Sequence, residues 1–166
     1  MKLLIVRHGT AGSREEFAKT GQPDDLRPLT KEGIEDIGVV ARGLRELVPH
    51  VATFATSPLV RARQTADIVA EVYGQPVIET DVLRPDAPYD QFESWAESTQ
   101  GDVVAVFGHE PHLSGLIAWL IGGRKSRIDL KKGGACLLEF HRQPREGAGA
   151  LVWLLTPKVV RRLRKS

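Results

Sequence analysis

One cysteine among 166 residues, Cys136, excludes an intrachain disulfide and any metal site built from thiolates. It lies in the apolar stretch A-C-L-L-E-F and reads as a buried structural residue, because a free cysteine behaves as a small hydrophobe. This scarcity of cysteine fits a reducing compartment. A dominant charge is also missing. The 23 Lys and Arg against 21 Asp and Glu leave a net charge of +2, too little for a dedicated nucleic-acid binder. No apolar run approaches the roughly 20 residues of a membrane span. The nearest, L-I-A-W-L-I-G from Leu116, is much shorter. The apolar N-terminal segment ends at Val6 and gives way at once to Arg7 and His8, unlike a secretory leader. A cytoplasmic protein without membrane contact is therefore expected. Repeats and a dividing linker are absent too, so residues 1–166 are expected to form a single domain, long enough to bury a core.

With 42% hydrophobic and 27% charged residues, the chain has the composition of a folded protein. Short apolar segments alternate with helical patterns, which predicts an α/β layered fold. Strands are expected over Lys2–Val6, Val51–Ala55, Val77–Glu79, Asp102–Phe107, Ala135–Phe140 and Ala150–Leu155, the last two as a hairpin at the sheet edge. Thr30 is placed to cap a helix whose apolar stripe is Ile34, Ile37, Ala41, Leu44 and Val48. Ser57-Pro58 predicts the next helix start, with Ser as N-cap and Pro at the first position; Ala62, Thr65, Ala66, Val69 and Tyr73 form its inner face. Pro111 opens a third helix with Leu113, Leu116, Ile117 and Leu120 inward, and a fourth is expected over Asp90–Ser98. Gly12–Pro28 reads as a polar loop bordering whatever Arg7 and His8 face. Trp95, Trp119 and Trp153 fall in apolar patterns and are expected in the core. The basic C-terminal stretch R-R-L-R-K-S reads as a solvated helix end.

Chemistry gathers where apolar runs stop. Arg7 and His8 end the first strand, Arg61 lies in the first turn after the second, and His109 follows V-V-A-V-F-G. In a parallel sheet the carboxyl ends of the strands open on one side, where ligands bind, so these residues converge if their strands are parallel and adjacent. Arginine forks and helix N-termini with no carboxylate in the same motifs suit a phosphate dianion. His8 could attack phosphorus to form a phosphohistidine that water hydrolyses. Neighbouring cations would keep its imidazole neutral and would stabilise charge in the transition state. A metal reading of His8, His109 and His112 fails: carboxylate or thiolate partners are missing, and arginines repel a cation. His112 reads as incidental, and His50 and His141 lie beside turns.

R-H-G at Arg7–Gly9, L-T-K-E-G at Leu29–Gly33, T-S-P-L-V-R-A-R-Q-T-A at Thr56–Ala66 and F-G-H-E-P at Phe107–Pro111 together resemble the histidine phosphatase superfamily, with its phosphoglycerate mutase-like fold. The short chain and R-P-L-T resemble the SixA-type phosphohistidine phosphatase branch. The resemblance implies a three-layer α/β sandwich with a mostly parallel central sheet and no large inserted subdomain. It implies His8 as nucleophile, Arg7, Arg61 and His109 as phosphate pocket, and Arg27 as this branch's extra arginine. Arg61 is chosen over Arg63 because the motif reads S-P-x-x-R. No cofactor and no metal are implied. The substrate implied is phosphohistidine on a protein; a small phosphate ester, or a weakly catalytic phosphate-binding module, is the alternative. No nucleic-acid partner is expected, and oligomeric state is left open. Relatives carry an acidic proton donor after the third strand. Here that segment holds Glu79, Asp81 and Asp86, of which Asp86 is the candidate, although none matches a donor motif.

Overall fold

Four consecutive apolar residues, Leu3 to Val6, can all be buried only in a strand covered on both faces. The computed structural model, which describes residues 1–123 and 127–163, puts them in β1 (Lys2–Arg7), inside a six-stranded sheet. β1 pairs in parallel with β4 (Val103–Gly108) and antiparallel with β5 (Ala135–Phe140). β2 (Thr53–Thr56) pairs in parallel with β4 and with β3 (Val77–Glu79), while β6 (Gly149–Leu155) lies antiparallel on β5. The order is β3-β2-β4-β1-β5-β6, mostly parallel, with the expected hairpin at one edge.

Side chains alternate along each strand, and so divide the core in two. Leu4, Val6, Phe54, Ala105 and Phe107 face α2 (Lys31–Leu47) and α3 (Val60–Tyr73). Leu3, Ile5, Ala55, Val104 and Val106 face α4 (Tyr89–Ser98) and α5 (His112–Leu120). These are the three layers of a phosphoglycerate mutase-like sandwich without a large insertion. Cys136 is fully buried in the second core, and burial pushes its thiol up to about 12. The three tryptophans are half-buried at the margins of the cores rather than inside them. No helix among the described residues is long and apolar enough to cross a membrane.

Thr30 does cap α2, its hydroxyl accepting from the Gly33 N–H at 2.9 Å. Ile34, expected on the inner stripe, is 44% exposed instead, because Gly33 takes the inward position of that turn. There the helix presses on the chain leaving β1, and a β-carbon on Gly33 would lie 2.1 Å from the Thr10 carbonyl oxygen. Gly33→Ala is accordingly expected to cost about 1–3 kcal/mol by overpacking, read from denaturant unfolding.

The Ser57-Pro58 helix start is corrected. α3 begins at Val60 with Leu59 as N-cap and no side-chain cap. Ser57 instead turns the chain out of β2, and its hydroxyl is held by His109. The segment expected as a plain polar loop contains α1 (Arg14–Ala18) and a 3-10 turn over Asp24–Leu26. A last short helix, α6 (Pro157–Val160), packs against α2, and Arg161 beyond it pairs with Asp36. The final part of the basic C-terminal stretch, residues 164–166, lies outside the described residues.

Candidate active site

The condition for convergence holds, since β4 lies between β1 and β2 and all three run parallel. Their ends are in register, with Arg7 opposite Gly108 and Thr56 opposite Phe107. The next residues, His8, Ser57 and His109, therefore emerge side by side. The His8 N–H donates to the Gly108 carbonyl and the Ser57 N–H to the Phe107 carbonyl, both at 3.0 Å. Arg61 arrives on the first turn of α3, and the segment after β1 folds back to deliver Arg27. Arg7, His8, Arg27, Arg61 and His109 line one cavity of about 320 Å³. Three further clefts, beside Tyr73, Trp119 and Gln143, are lined by none of these five residues.

His8 is buried, with its ring 5.2 Å from that of His109. Its Nδ1 lies 2.7 Å from the Gly9 carbonyl oxygen. A carbonyl only accepts, so Nδ1 carries the proton and Nε2 keeps its lone pair. Burial lowers the His8 pKa to about 4, helped by Arg61, Arg7 and Arg27 and opposed by the bond to Gly9. The cations contribute as expected, but desolvation is the larger cause. His109 is lowered further, to about 2, by burial and then by His8 and Arg61. Both rings are neutral at neutral pH.

The arginines are held in different ways. Arg7 donates to the Leu130 carbonyl at 2.9 Å, while the Arg7 N–H is bonded to the Gly134 carbonyl. The Gly133 N–H reaches the carbonyls of Arg7 and His8, so the loop from Leu130 to Gly134 braces the strand end. Lys132, exposed on that loop, also lines the cavity. Arg27 and Arg61 meet at Asp24. Arg27 Nε lies 2.7 Å from Asp24 Oδ1, and Arg61 Nη2 lies 3.3 Å from Oδ2. Arg61 Nη1 also donates to the Asp24 carbonyl at 2.9 Å. The hydrogen bond from Arg27 holds the Asp24 carboxyl below its ordinary range, with Arg61, Arg27 and Arg14 adding to the effect. Asp24 lies outside the motifs that carry these cations, and the 3-10 turn brings its carboxylate to two of the arginines. The Nε atoms of Arg7 and Arg61 are buried without a partner among the described residues.

The acid candidates separate. Asp86 is exposed and does not line the cavity, although Pro85 does. Glu79 pairs with Arg63 at 3.1 Å and Asp81 with Arg84 at 2.8 Å. Arg63 reaches Asp67 as well, on the outer side of α3. The carboxylate that does line the cavity is Glu110, which accepts from the Ser114 N–H at 3.0 Å and from the Ser114 hydroxyl. His112 is buried outside the cavity, with Nε2 on the Ala87 carbonyl and its ring against Tyr89. Among the described residues no three His, Cys, Asp or Glu side chains cluster to hold a metal ion.

Sequence reading passed over Asp24, Ser57, Glu110 and Lys132. Ser57 had a signal, since it follows its strand as His8 and His109 follow theirs. Asp24 had a weaker one, three residues before Arg27.

A sequence profile described as histidine phosphatase superfamily (branch 1) matches residues 3–85. An uncharacterised protein of Picosynechococcus is 34% identical over 140 residues, which cover 81% of this chain and 82% of that one. Among solved structures, the protein histidine phosphatase SixA complexed with tungstate superposes with a TM-score of 0.81 at 22% identity, covering 96% of this chain and 99% of that one. The phosphoserine phosphatase of Entamoeba histolytica in complex with 3-phosphoglyceric acid gives 0.71 at 15% identity, covering 93% and 96%. The alpha-ribazole phosphatase of Shigella flexneri gives 0.69 at 20%, covering 95% and 97%. These three structures share the fold.

Proposed function

The chain belongs to the histidine phosphatase superfamily, and from that premise we propose that it hydrolyses protein phosphohistidine through a covalent phosphohistidine on its own His8, without a metal. Arg7, Arg27, Arg61 and His109 bind the phosphoryl oxygens. The His8 Nε2 lone pair attacks phosphorus as the bond to the substrate's imidazole nitrogen breaks. Water then attacks the phosphoenzyme, releasing inorganic phosphate and restoring His8. Fixed donors around the three oxygens stabilise the charge that develops in both steps.

One observation carries the choice of substrate. The carboxylate lining the cavity, Glu110, is engaged by Ser114 through both oxygens, and Asp86 lies outside the cavity, so neither is placed as a free acid facing a leaving group. An alkoxide needs a proton from an acid in the site to leave, whereas a phosphohistidine ring that has taken a proton from solvent on its other nitrogen leaves as neutral imidazole. The similarity to SixA supports the same choice; the similarity to the phosphoserine and alpha-ribazole phosphatases keeps esters in the test.

The test compares a phosphohistidine peptide with an alkyl phosphate under matched conditions, with acid-quenched samples examined for phosphate on His8. The peptide is expected to be preferred by roughly 10²–10⁴-fold in kcat/KM, the usual worth of general acid catalysis. Asp86→Asn is expected to change neither rate. Equal rates on the alkyl ester, or a loss on Asp86→Asn confined to esters, would move the enzyme to the general phosphomonoesterases.

A further inference from the structure

Ser57, at the end of β2 and beside His109, has no part in the chemistry above. It is fully buried, its Oγ is 2.8 Å from His109 Nε2, and the Leu59 N–H points to the same oxygen at 3.4 Å. His109 Nδ1 is buried with no partner among the described residues. We propose that Ser57 is a positioning residue that fixes the proton of His109 on Nδ1, so that this ring presents a donor to the phosphoryl oxygens rather than a lone pair.

Counting donors and acceptors decides the tautomer. If Nε2–H donated to the serine oxygen, then among the described residues the hydroxyl proton would have no acceptor and a bare Nδ1 would have no donor. Two buried groups would then be unsatisfied. If the hydroxyl donates to Nε2, the serine is satisfied on both sides and a single unpaired group remains, the Nδ1–H. Leaving a buried polar group unpaired costs far more than an average hydrogen bond returns, so the second arrangement prevails. The remaining group also suits the ligand. Phosphoryl oxygens only accept, and a bare nitrogen facing them would repel.

His8 shows the complementary arrangement, because Gly9 holds its proton on Nδ1 and leaves Nε2 bare for attack. The two rings, 5.2 Å apart, thus hold opposite duties through one backbone carbonyl and one serine hydroxyl. Burial and the nearby cations keep His109 from the doubly protonated form, in which the serine would have no say. The inference rests on the phosphate-binding reading of the cavity and adds to it a residue that touches neither phosphate nor nucleophile.

Long-range proton–nitrogen NMR on protein labelled with ¹⁵N-histidine tests it directly. Wild type should show His109 protonated at Nδ1 with a bare Nε2. In Ser57→Ala the proton should redistribute towards Nε2, and affinity for inorganic phosphate should fall roughly 10-fold, the worth of a hydrogen bond to a charged group. Ser57→Thr, which keeps the hydroxyl, should restore both. A wild-type ring protonated at Nε2 would overturn the proposal, as would Ser57→Ala with an unchanged tautomer and wild-type phosphate affinity. If Ser57→Ala does not fold, the wild-type spectrum decides alone. Neither measurement needs turnover, so absence of a phosphoenzyme would count against the phosphatase reading and leave the tautomer to be judged separately.

Discussion

Replacing His8 with alanine is expected to abolish hydrolysis, lowering kcat by about 10⁴-fold or more, as removal of an enzyme's nucleophile does. The fold should survive. The hydrogen bond of the His8 ring goes to its neighbour Gly9, and the ring otherwise borders the cavity and His109, so truncation widens an existing space. Circular dichroism and thermal unfolding near wild type, with no acid-labile phosphate on the protein, are the expected observations. Activity within tenfold of wild type would sink the nucleophile assignment. The same ring makes a pH prediction. Burial disfavours the imidazolium, so the nucleophile should stay neutral well below the ordinary histidine value and protonate only near pH 4. An NMR titration of His8 with a midpoint near 6.5 would contradict that geometry. The linkage has a definite sign: the folded pKa is depressed, so this contribution to stability is complete above about 6.5 and is lost as pH falls towards 4.

Arg61→Met should cost about 10²–10³-fold in kcat, the range seen when one fixed donor to a transition-state oxyanion is removed. Arg61 is 3% exposed and bonded to both the carbonyl and the carboxylate of Asp24. Methionine keeps an unbranched apolar stem and loses every donor. Breaking a buried ion pair also destabilises, but Asp24 keeps Arg27 and Arg14, so the variant should remain folded with a lowered midpoint. Arg63→Met is the control. Arg63 is bonded to Asp67 and Glu79 outside the cavity, and its loss should leave kcat within a factor of about two, as for most surface changes. A larger loss at Arg63 than at Arg61 would reverse the assignment within R-A-R.

The reading of the helices shows what local pattern can carry. The stripe Ile37, Ala41 and Leu44 is buried as expected, because helical periodicity alone decides which side of α2 is apolar. Ile34 departs from it because a tertiary contact, Gly33 against Thr10, sets how the first turn approaches the strand end. Ser57 fails as an N-cap for a related reason: its hydroxyl had two possible uses, and a histidine 52 positions away took it. The acid question was not legible at all. Asp86 and Glu110 are equally polar in sequence, and only the packing of the loops leaves one outside the cavity and the other on its wall.

By itself the sequence determined the strands, the residues that leave their ends and the kind of anion those residues suit, since each depends on burial period and functional groups within a few positions. The tertiary structure decided that β4 lies between β1 and β2, which makes neighbours of His8, Ser57 and His109, and it folded the segment after β1 back so that Asp24 meets two cavity arginines. The physical reason is the range of the interactions. Alternation and helical spacing are imposed by each element's own backbone, whereas strand order, loop return and hydroxyl partners depend on contacts between residues far apart in the chain, to which no local pattern corresponds.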